Sequence, residues 1–455
     1  MPTKSAAVEP RARRVLLRHP AQAVVLAFVV ADLVGTVLLM VPAARSGPGG
    51  ADPLTALFTA SSAVCVTGLS TVDTPVYWST YGEVVILGLI QVGGFGIMTL
   101  ASLLTLVVWR RLGLRSRLTA AAETKALGPG EVRTVLTGVL TITVLMEAAV
   151  AIALTLRFAL GYGEEWGRAS YLGAFHAISA FNNAGFALYS DSLIGFVDDP
   201  WVCLPIAFAV IAGGLGFPVW LELFRHRTRW RQWSMHSTMT VWATLVLLVL
   251  GTVLVTAAEW DNPATLGSLD APGRLLAGFF HSVMPRTAGF NAIDYGQVED
   301  STLLVTCVLM FIGGGSAGTA GGIKVTTFLL LFWVIWAEVR GEKDVTAHGR
   351  RIADRTIRQA LTVALLAVGT VSTATVVLSV LTDLTLDAIF FEVVSAFATV
   401  GLSTGITGAL PDSAQLVLVA LMFLGRLGPI TLVSALALRD RDNLYRLPEG
   451  RPLIG

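Results

Sequence analysis

The chain has 455 residues, 54% of them hydrophobic and only 14% charged, with a formal net charge of +1. No soluble domain is this apolar, and the near-neutral charge carries no sign of a nucleic-acid partner. The three cysteines, Cys65, Cys203 and Cys307, are scattered without metal-ligand spacing and read as free, semi-buried thiols.

Residues 1–20 are polar and basic. The apolar run 21–43 follows them as in a signal peptide but is too long for one, so it reads as a retained span. Asp32 inside it is expected to face protein rather than lipid. Runs of bilayer length recur near 82–109, 134–160, 201–225, 237–259, 302–336, 358–381 and 413–438, which makes eight spans. Between spans one and two, three and four, five and six, and seven and eight lie apolar segments at 53–70, 171–187, 274–291 and 386–403. They are too short to cross and suit re-entrant half-helices. The expected fold is an all-α integral membrane protein of four pseudo-symmetric units, at 21–110, 134–225, 237–340 and 358–438. A basic tail precedes them at 1–20, and residues 439–455 follow them. Of the 32 Lys and Arg, 25 cluster in 1–20, 110–133, 225–231, 340–358 and 439–451, all on one side if the spans alternate. The positive-inside rule then puts both termini in the cytoplasm and the half-helices outside.

The half-helix segments are degraded copies of one pattern. Gly68, Gly185, Gly289 and Gly401 are spaced by 117, 104 and 112 residues, and Phe58, Phe175, Phe279 and Phe391 stand ten before them. Six before the glycine is Ser62, Ser179 or Ser395; the third copy has Val283 there, with Ser282 beside it. A bulky apolar residue follows each glycine: Leu69, Phe186, Phe290, Leu402. Glycine at membrane depth permits unusual backbone angles and close approach to an axis, and irregular backbone survives there only if buried or lining a wet cavity. Four such loops make a ring of carbonyl oxygens that can replace the hydration shell of an alkali cation. The expected ion site is Val66, Thr67 and Gly68; Asn183, Ala184 and Gly185; Thr287, Ala288 and Gly289; and Thr399, Val400 and Gly401. Half-helix C-termini aimed at the axis would each add about −0.5 charge, suiting a monovalent cation. The plainer alternative is that these glycines only let helices pack closely.

The second span of each unit has its own glycine cluster: 93–96, 213–216, 313–315, and Gly425-Arg426-Leu427-Gly428. Arg426 stands where the other units have glycine, which places it near the axis below the ring. At ~4 Å and an effective dielectric near 20 it would repel a cation by about 4 kcal/mol; the alternative is a structural ion pair, for instance with Glu392. Span six is broken by Gly313, Gly314, Gly315, Ser316, Ala317, Gly318, Thr319, Ala320, Gly321 and Gly322, with Lys324 at the end. Six glycines in ten residues do not hold a helix. A flexible intramembrane loop under the ring is the expected gate, with a static kink as the alternative.

Gly313, Gly315 and Gly318 also fit a dinucleotide fingerprint, but membrane-length apolar runs flank them rather than a βαβ unit. His176 and His281 read as packing groups in the half-helices, and Glu147 and Glu222 as internal hydrogen-bonding groups. No HExxH is present, and membrane hydrolase chemistry has little support.

The four half-helix and filter copies, the interruption at 313–322 and Arg426 resemble the superfamily of K⁺ transporters containing TrkH, KtrB and HKT, over about residues 21–438. Eight spans without an additional N-terminal pair resemble the KtrB type. The resemblance implies a K⁺-selective translocating subunit of the cell membrane, with K⁺ as the carried ion, Na⁺ as a frequent stimulant and no organic cofactor. It also implies a homodimer and a cytoplasmic ring of KtrA-type nucleotide-binding regulatory subunits. Glycine at all four filter positions matches the family's K⁺-selective pattern; members with serine in the first loop pass Na⁺. The competing reading is a secondary transporter of a small organic solute built on broken helices. It would favour inverted repeats, whereas all four units here enter from the same side.

Overall fold

The computed structural model describes residues 20–111, 129–226 and 229–438. The basic tails expected at 1–20 and 439–455 lie outside them, apart from Pro20, as does most of the basic stretch at 110–133.

The described chain is mostly helical. Its first unit is α1 (Pro20–Met40), α2 (Pro53–Val64) and α3 (Thr80–Arg111). The second is α4 (Pro129–Gly161), α5 (Trp166–Phe181), α6 (Pro200–Leu215) and α7 (Phe217–His226). The third is α8 (Met235–Glu259), α9 (Ala271–Val283), α10 (Asp300–Phe311) and α11 (Val325–Val339). The fourth is α12 (Asp354–Leu381), α13 (Leu386–Ala398) and α14 (Asp412–Leu438). Local chemistry starts the short helices where the sequence changes character. Asp52 caps α2 through Leu54 N at 3.0 Å with Pro53 following, and Asp270 caps α9 through Gly273 N at 2.8 Å.

Four helices among the described residues are long and apolar enough to cross a bilayer: the Thr80–Thr99 part of α3, the Leu136–Gly161 part of α4, α8 and α12. The bent pair α6–α7 makes a fifth. Leu160, Val249, Leu365 and Val380 are more than 60% exposed, an apolar outer face suited to lipid rather than water.

The expected continuous span at 201–225 is instead broken. α6 and α7 meet at 98°, and Gly216 between them has φ +89°. The expected interruption of 302–336 is present, as residues 312–324 between α10 and α11. The basic stretch at 340–358 contains a small hairpin, β1 (Thr346–Ala347) against β2 (Arg350–Arg351), antiparallel. His348 and Gly349 at its tip both have positive φ, as a two-residue primed turn requires.

The units close into a ring by one repeated contact. The second helix of each packs on the short helix of the next: α3 on α5, α6 on α9, α10 on α13, and α14 back on α2. Within three of the units, glycine also lets the second helix close on the short helix of its own unit. A Cβ on Gly93, Gly213 or Gly425 would overlap Val64 O, Phe181 O or Phe397 O, the carbonyl four residues before that unit's filter glycine. Gly425→Ala is therefore expected to destabilise the protein by about 1–3 kcal/mol through overpacking. Gly428→Ala, with nothing within 4 Å of its Cβ position, should leave stability unchanged. Thermal midpoints of the two variants in detergent check the contrast.

Candidate functional site

The four loops after the short helices share one backbone despite unlike sequences. Each filter glycine has positive φ: Gly68 +94°, Gly185 +71°, Gly289 +74° and Gly401 +95°. The residue two before it also lies in the left-handed region: Val66 +57°, Asn183 +60°, Thr287 +74° and Thr399 +51°. That conformation is strained for residues other than glycine and persists only where the surroundings hold it. The hold comes from the helix end. Thr67 N, Ala184 N and Val400 N donate to Ser62 O, Ser179 O and Ser395 O at 2.8, 2.7 and 2.9 Å. The serine hydroxyls add to it, Ser62 Oγ accepting from Gly68 N at 3.0 Å and Ser395 Oγ from Gly401 N at 3.1 Å. Ser179 Oγ instead donates to Phe186 O at 2.8 Å.

The third copy corrects the register of the sequence alignment. Ala288 N donates to Met284 O at 3.0 Å, so Met284 and not Val283 stands where the other copies have serine. Phe280 is fully buried like Phe58, Phe175 and Phe391, while Phe279 is only half-buried. The histidines agree. His176 Nδ1 bonds Leu172 O at 2.8 Å and its Nε2 accepts from Leu188 N at 3.3 Å. His281 bonds Ala277 O at 2.8 Å and accepts from Ala292 N at 3.2 Å. Twelve residues separate histidine from loop amide in the second copy and eleven in the third. The third loop is one residue shorter, which counting back from the glycine cannot reveal. These imidazoles are more than packing groups: each pins the strand leaving its filter loop.

The loops meet in cyclic order. A Cβ on Gly68 would overlap Ala184 O; on Gly185 it would lie 2.7 Å from Ala288 O; on Gly289 it would overlap Val400 O; on Gly401, Thr67 O. Each glycine thus admits the carbonyl of the next copy, and the contacts join Thr67, Gly68, Ala184, Gly185, Ala288, Gly289, Val400 and Gly401, with Asn183 reaching Thr287. Leu69, Phe186, Phe290 and Leu402 are buried behind them. No carboxylate stands among the twelve expected ion-site residues, so the oxygens they offer are all neutral.

Residues 313–322 lie against the second and fourth of these loops, buried except for Ser316, which is half-buried. Gly313 N–Ile323 O at 2.9 Å and Val325 N–Gly314 O at 3.0 Å close the base of the loop. Gly315 N donates to Gly214 O at 2.7 Å, Thr319 N to Gly213 O at 3.1 Å, and Phe217 N to Ala317 O at 3.2 Å. The loop therefore completes the hydrogen bonds that the α6–α7 break leaves open. It touches two filter copies. Thr319 Oγ1 donates to Asn183 Oδ1 at 3.1 Å, and a Cβ on Gly321 would lie 2.7 Å from Ala398 O.

Two cations expected at the gate bind this loop. Lys324 Nζ donates to Ala320 O and Arg426 Nη1 to Thr319 O. Arg426 is buried, and its Nε and Nη2 have no partner among the described residues. The ion pair with Glu392 does not form: Glu392 accepts from Ser403 Oγ at 2.8 Å and from Thr407 Oγ1. Asp32 faces protein as expected, accepting from Ser61 Oγ at 3.0 Å. Glu147 joins Gln91 Nε2 at 3.3 Å and Asn182 Nδ2 at 3.0 Å, and Glu222 accepts from Ser234 N at 2.8 Å. Sequence reasoning missed Arg286, which is buried between the third loop and residue 313. An arginine three before the filter glycine, where the other copies have Cys65, Asn182 and Ala398, was the available signal.

The fold defined by this ring is that of a cation transporter of the membrane. The crystal structure of the potassium transporter TrkH from Vibrio parahaemolyticus matches with TM-score 0.72, covering 93% of this chain and 86% of that one at 18% identity. The family model of TrkH, described as a cation transport protein, matches residues 4–446, and the chain belongs to that family. Among its relatives are the Ktr system potassium uptake proteins B of Bacillus subtilis (strain 168) and Vibrio alginolyticus. The first is 37% identical over 96% of this chain and 97% of its own length, the second 38% over 95% and 94%. The potassium/sodium uptake protein NtpJ of Enterococcus hirae is 34% identical over 96% and 97%.

Ser395→Ala removes the acceptor of the part-buried Gly401 N and is expected to cost about 1 kcal/mol. The thermal midpoint of the purified variant reads this loss. A midpoint equal to the parent's would show that the hydroxyl does not hold the loop.

Proposed function

We propose that this chain is the ion-translocating subunit of a K⁺ uptake system, with the ion passing through the ring at Gly68, Gly185, Gly289 and Gly401. The observation that carries the reading is the cyclic contact of each glycine with the carbonyl of the next copy. Such neutral oxygens can stand in for the water around a dehydrated alkali cation, and the names of the relatives point to the same cargo. The architecture that goes with it has eight spans and four re-entrant helices in units 21–110, 134–225, 237–340 and 358–438, set in the cell membrane. Both termini are cytoplasmic, from the distribution of Lys and Arg.

Residues 313–322, Lys324 and Arg426 form the gate in this reading. The loop lies across the space under the ring, and the Arg426 guanidinium places a fixed positive charge there. The Ktr names of the relatives support a multi-component system. A second copy of this chain and a cytoplasmic ring of KtrA-type nucleotide-binding subunits complete it, and Na⁺ acts as a stimulating ion. A pore that dehydrates its cargo at backbone oxygens has no use for an organic solute, which is how the alternative is separated.

Gly68→Ser is expected to raise Na⁺ flux relative to K⁺ flux in proteoliposomes, and an unchanged ratio would count against the ring. Deleting 314–320 should raise K⁺ uptake in a transport-deficient cell, as should Arg426→Ala. A fall in uptake with folded protein would reject the gate. Binding of Rb⁺ competed by small organic solutes, rather than by K⁺, would favour the secondary transporter.

A further inference from the structure

We propose that Arg286 is the positioning residue that latches the base of the loop at 313–324 to the third filter loop. The inference deepens the gate reading above and rests on it. Arg286 stands three residues before Gly289, where the other copies carry Cys65, Asn182 and Ala398, all uncharged. Those copies adopt the same pair of positive φ values, so the loop backbone does not require an arginine. Its cost is large, because a guanidinium at this depth needs compensation, yet no carboxylate pairs with it among the described residues. Instead Nη1 donates to Thr244 O at 3.3 Å, and Nη2 to Thr244 Oγ1 and Gly313 O, both at 3.4 Å. Nε has no partner.

These contacts span three elements. The backbone of Arg286 belongs to the third filter loop, and its carbonyl accepts from Asn183 Nδ2 at 3.5 Å. Its side chain reaches α8 at Thr244 and the first glycine of the interruption at Gly313. Asn183 in turn takes the Thr319 hydroxyl, whose backbone carbonyl is held by Arg426. The loop is thus gripped at its base by one arginine and at its far half by another.

The choice of acceptor explains why this is a latch rather than a rivet. An ion pair buried in low dielectric would be hard to open, because separation leaves two uncompensated charges. Two long hydrogen bonds to neutral carbonyls are weak. When Gly313 withdraws, the small cavity lined by Gly214, Thr244, Val283, Arg286 and Gly314 widens, and water replaces the lost acceptor. Closed and dry, the guanidinium binds the loop; open and wet, it is hydrated.

Arg286→Gln and Arg286→Lys are compared in the full-length protein and in the variant lacking 314–320, by K⁺ and Na⁺ flux in proteoliposomes. Arg286→Gln should raise K⁺ flux about tenfold or more, the effect of losing one hydrogen bond from a charged donor, with the K⁺/Na⁺ ratio unchanged. Arg286→Lys should give a smaller rise. Neither should add anything in the deletion variant. A changed K⁺/Na⁺ ratio in both backgrounds would overturn the proposal and assign Arg286 to the filter, and unchanged flux with the loop intact would also overturn it. The reaction rate of Ser316→Cys with a polar thiol reagent, with Cys65, Cys203 and Cys307 replaced, is the second readout. Acceleration by Arg286→Gln or, where that variant does not fold, by Arg286→Lys supports the latch, and an unaltered rate overturns it. If deletion of 314–320 fails to raise flux, the gate reading fails on its own, while the thiol rate still decides whether Arg286 holds the loop.

Discussion

The structure depends on how closely four irregular backbones can approach one another. Each filter glycine leaves room for the carbonyl of the next copy, and any side chain at Gly68, Gly289 or Gly401 would overlap that oxygen. The demand is circular, since the fourth copy meets the first through Gly401 and Thr67 O. One intruding methyl would therefore displace a carbonyl of its neighbour as well as its own loop. The outer helices repeat the constraint one layer out, where Gly93, Gly213 and Gly425 let a long helix touch the end of a short one.

Irregular backbone inside a membrane has a second requirement, that its polar groups find partners within the protein. The break between α6 and α7 and the loop between α10 and α11 meet this requirement jointly. Gly213 O and Gly214 O, at the end of α6, receive Thr319 N and Gly315 N, and Ala317 O receives Phe217 N at the start of α7. Neither interruption is stable alone at that depth. A loop held by backbone bonds to another broken helix can leave only if both rearrange or water enters, which ties movement to wetting.

Much of this was legible in the sequence because glycine is hard to replace where backbones touch. The four filter glycines, the ten-residue interruption and the matched position of Arg426 all stand out by residue type. What was not legible followed from single-residue shifts and long-range partners. The third copy lacks one residue between Met284 and Gly289, so Phe279 and Val283 aligned by count while Phe280 and Met284 align in space. The bend after α6 falls at Gly216, with Pro218 in the first turn of α7, and residues 313–319, far away in sequence, supply the hydrogen bonds the break leaves open. The 346–351 hairpin was hidden in a stretch read only for its charge.

The fourfold pattern is most informative where it fails. Arg286 and Arg426 replace uncharged residues of the other copies, and Lys324 ends the only interrupted second helix to carry such a loop among the described residues. All three donate to carbonyls of the same loop, at Gly313, Thr319 and Ala320. A backbone carbonyl aimed at a cation is also the chemistry proposed for the ring above. In that reading the ring oxygens are left for a mobile cation, whereas the loop oxygens are held by cations the protein carries itself. On the proposed function, the same three charges would repel a mobile ion from the loop side of the ring while keeping the loop in place. The proposed filter then rests on the likeness of the four copies, and the proposed barrier on the three basic side chains that break it.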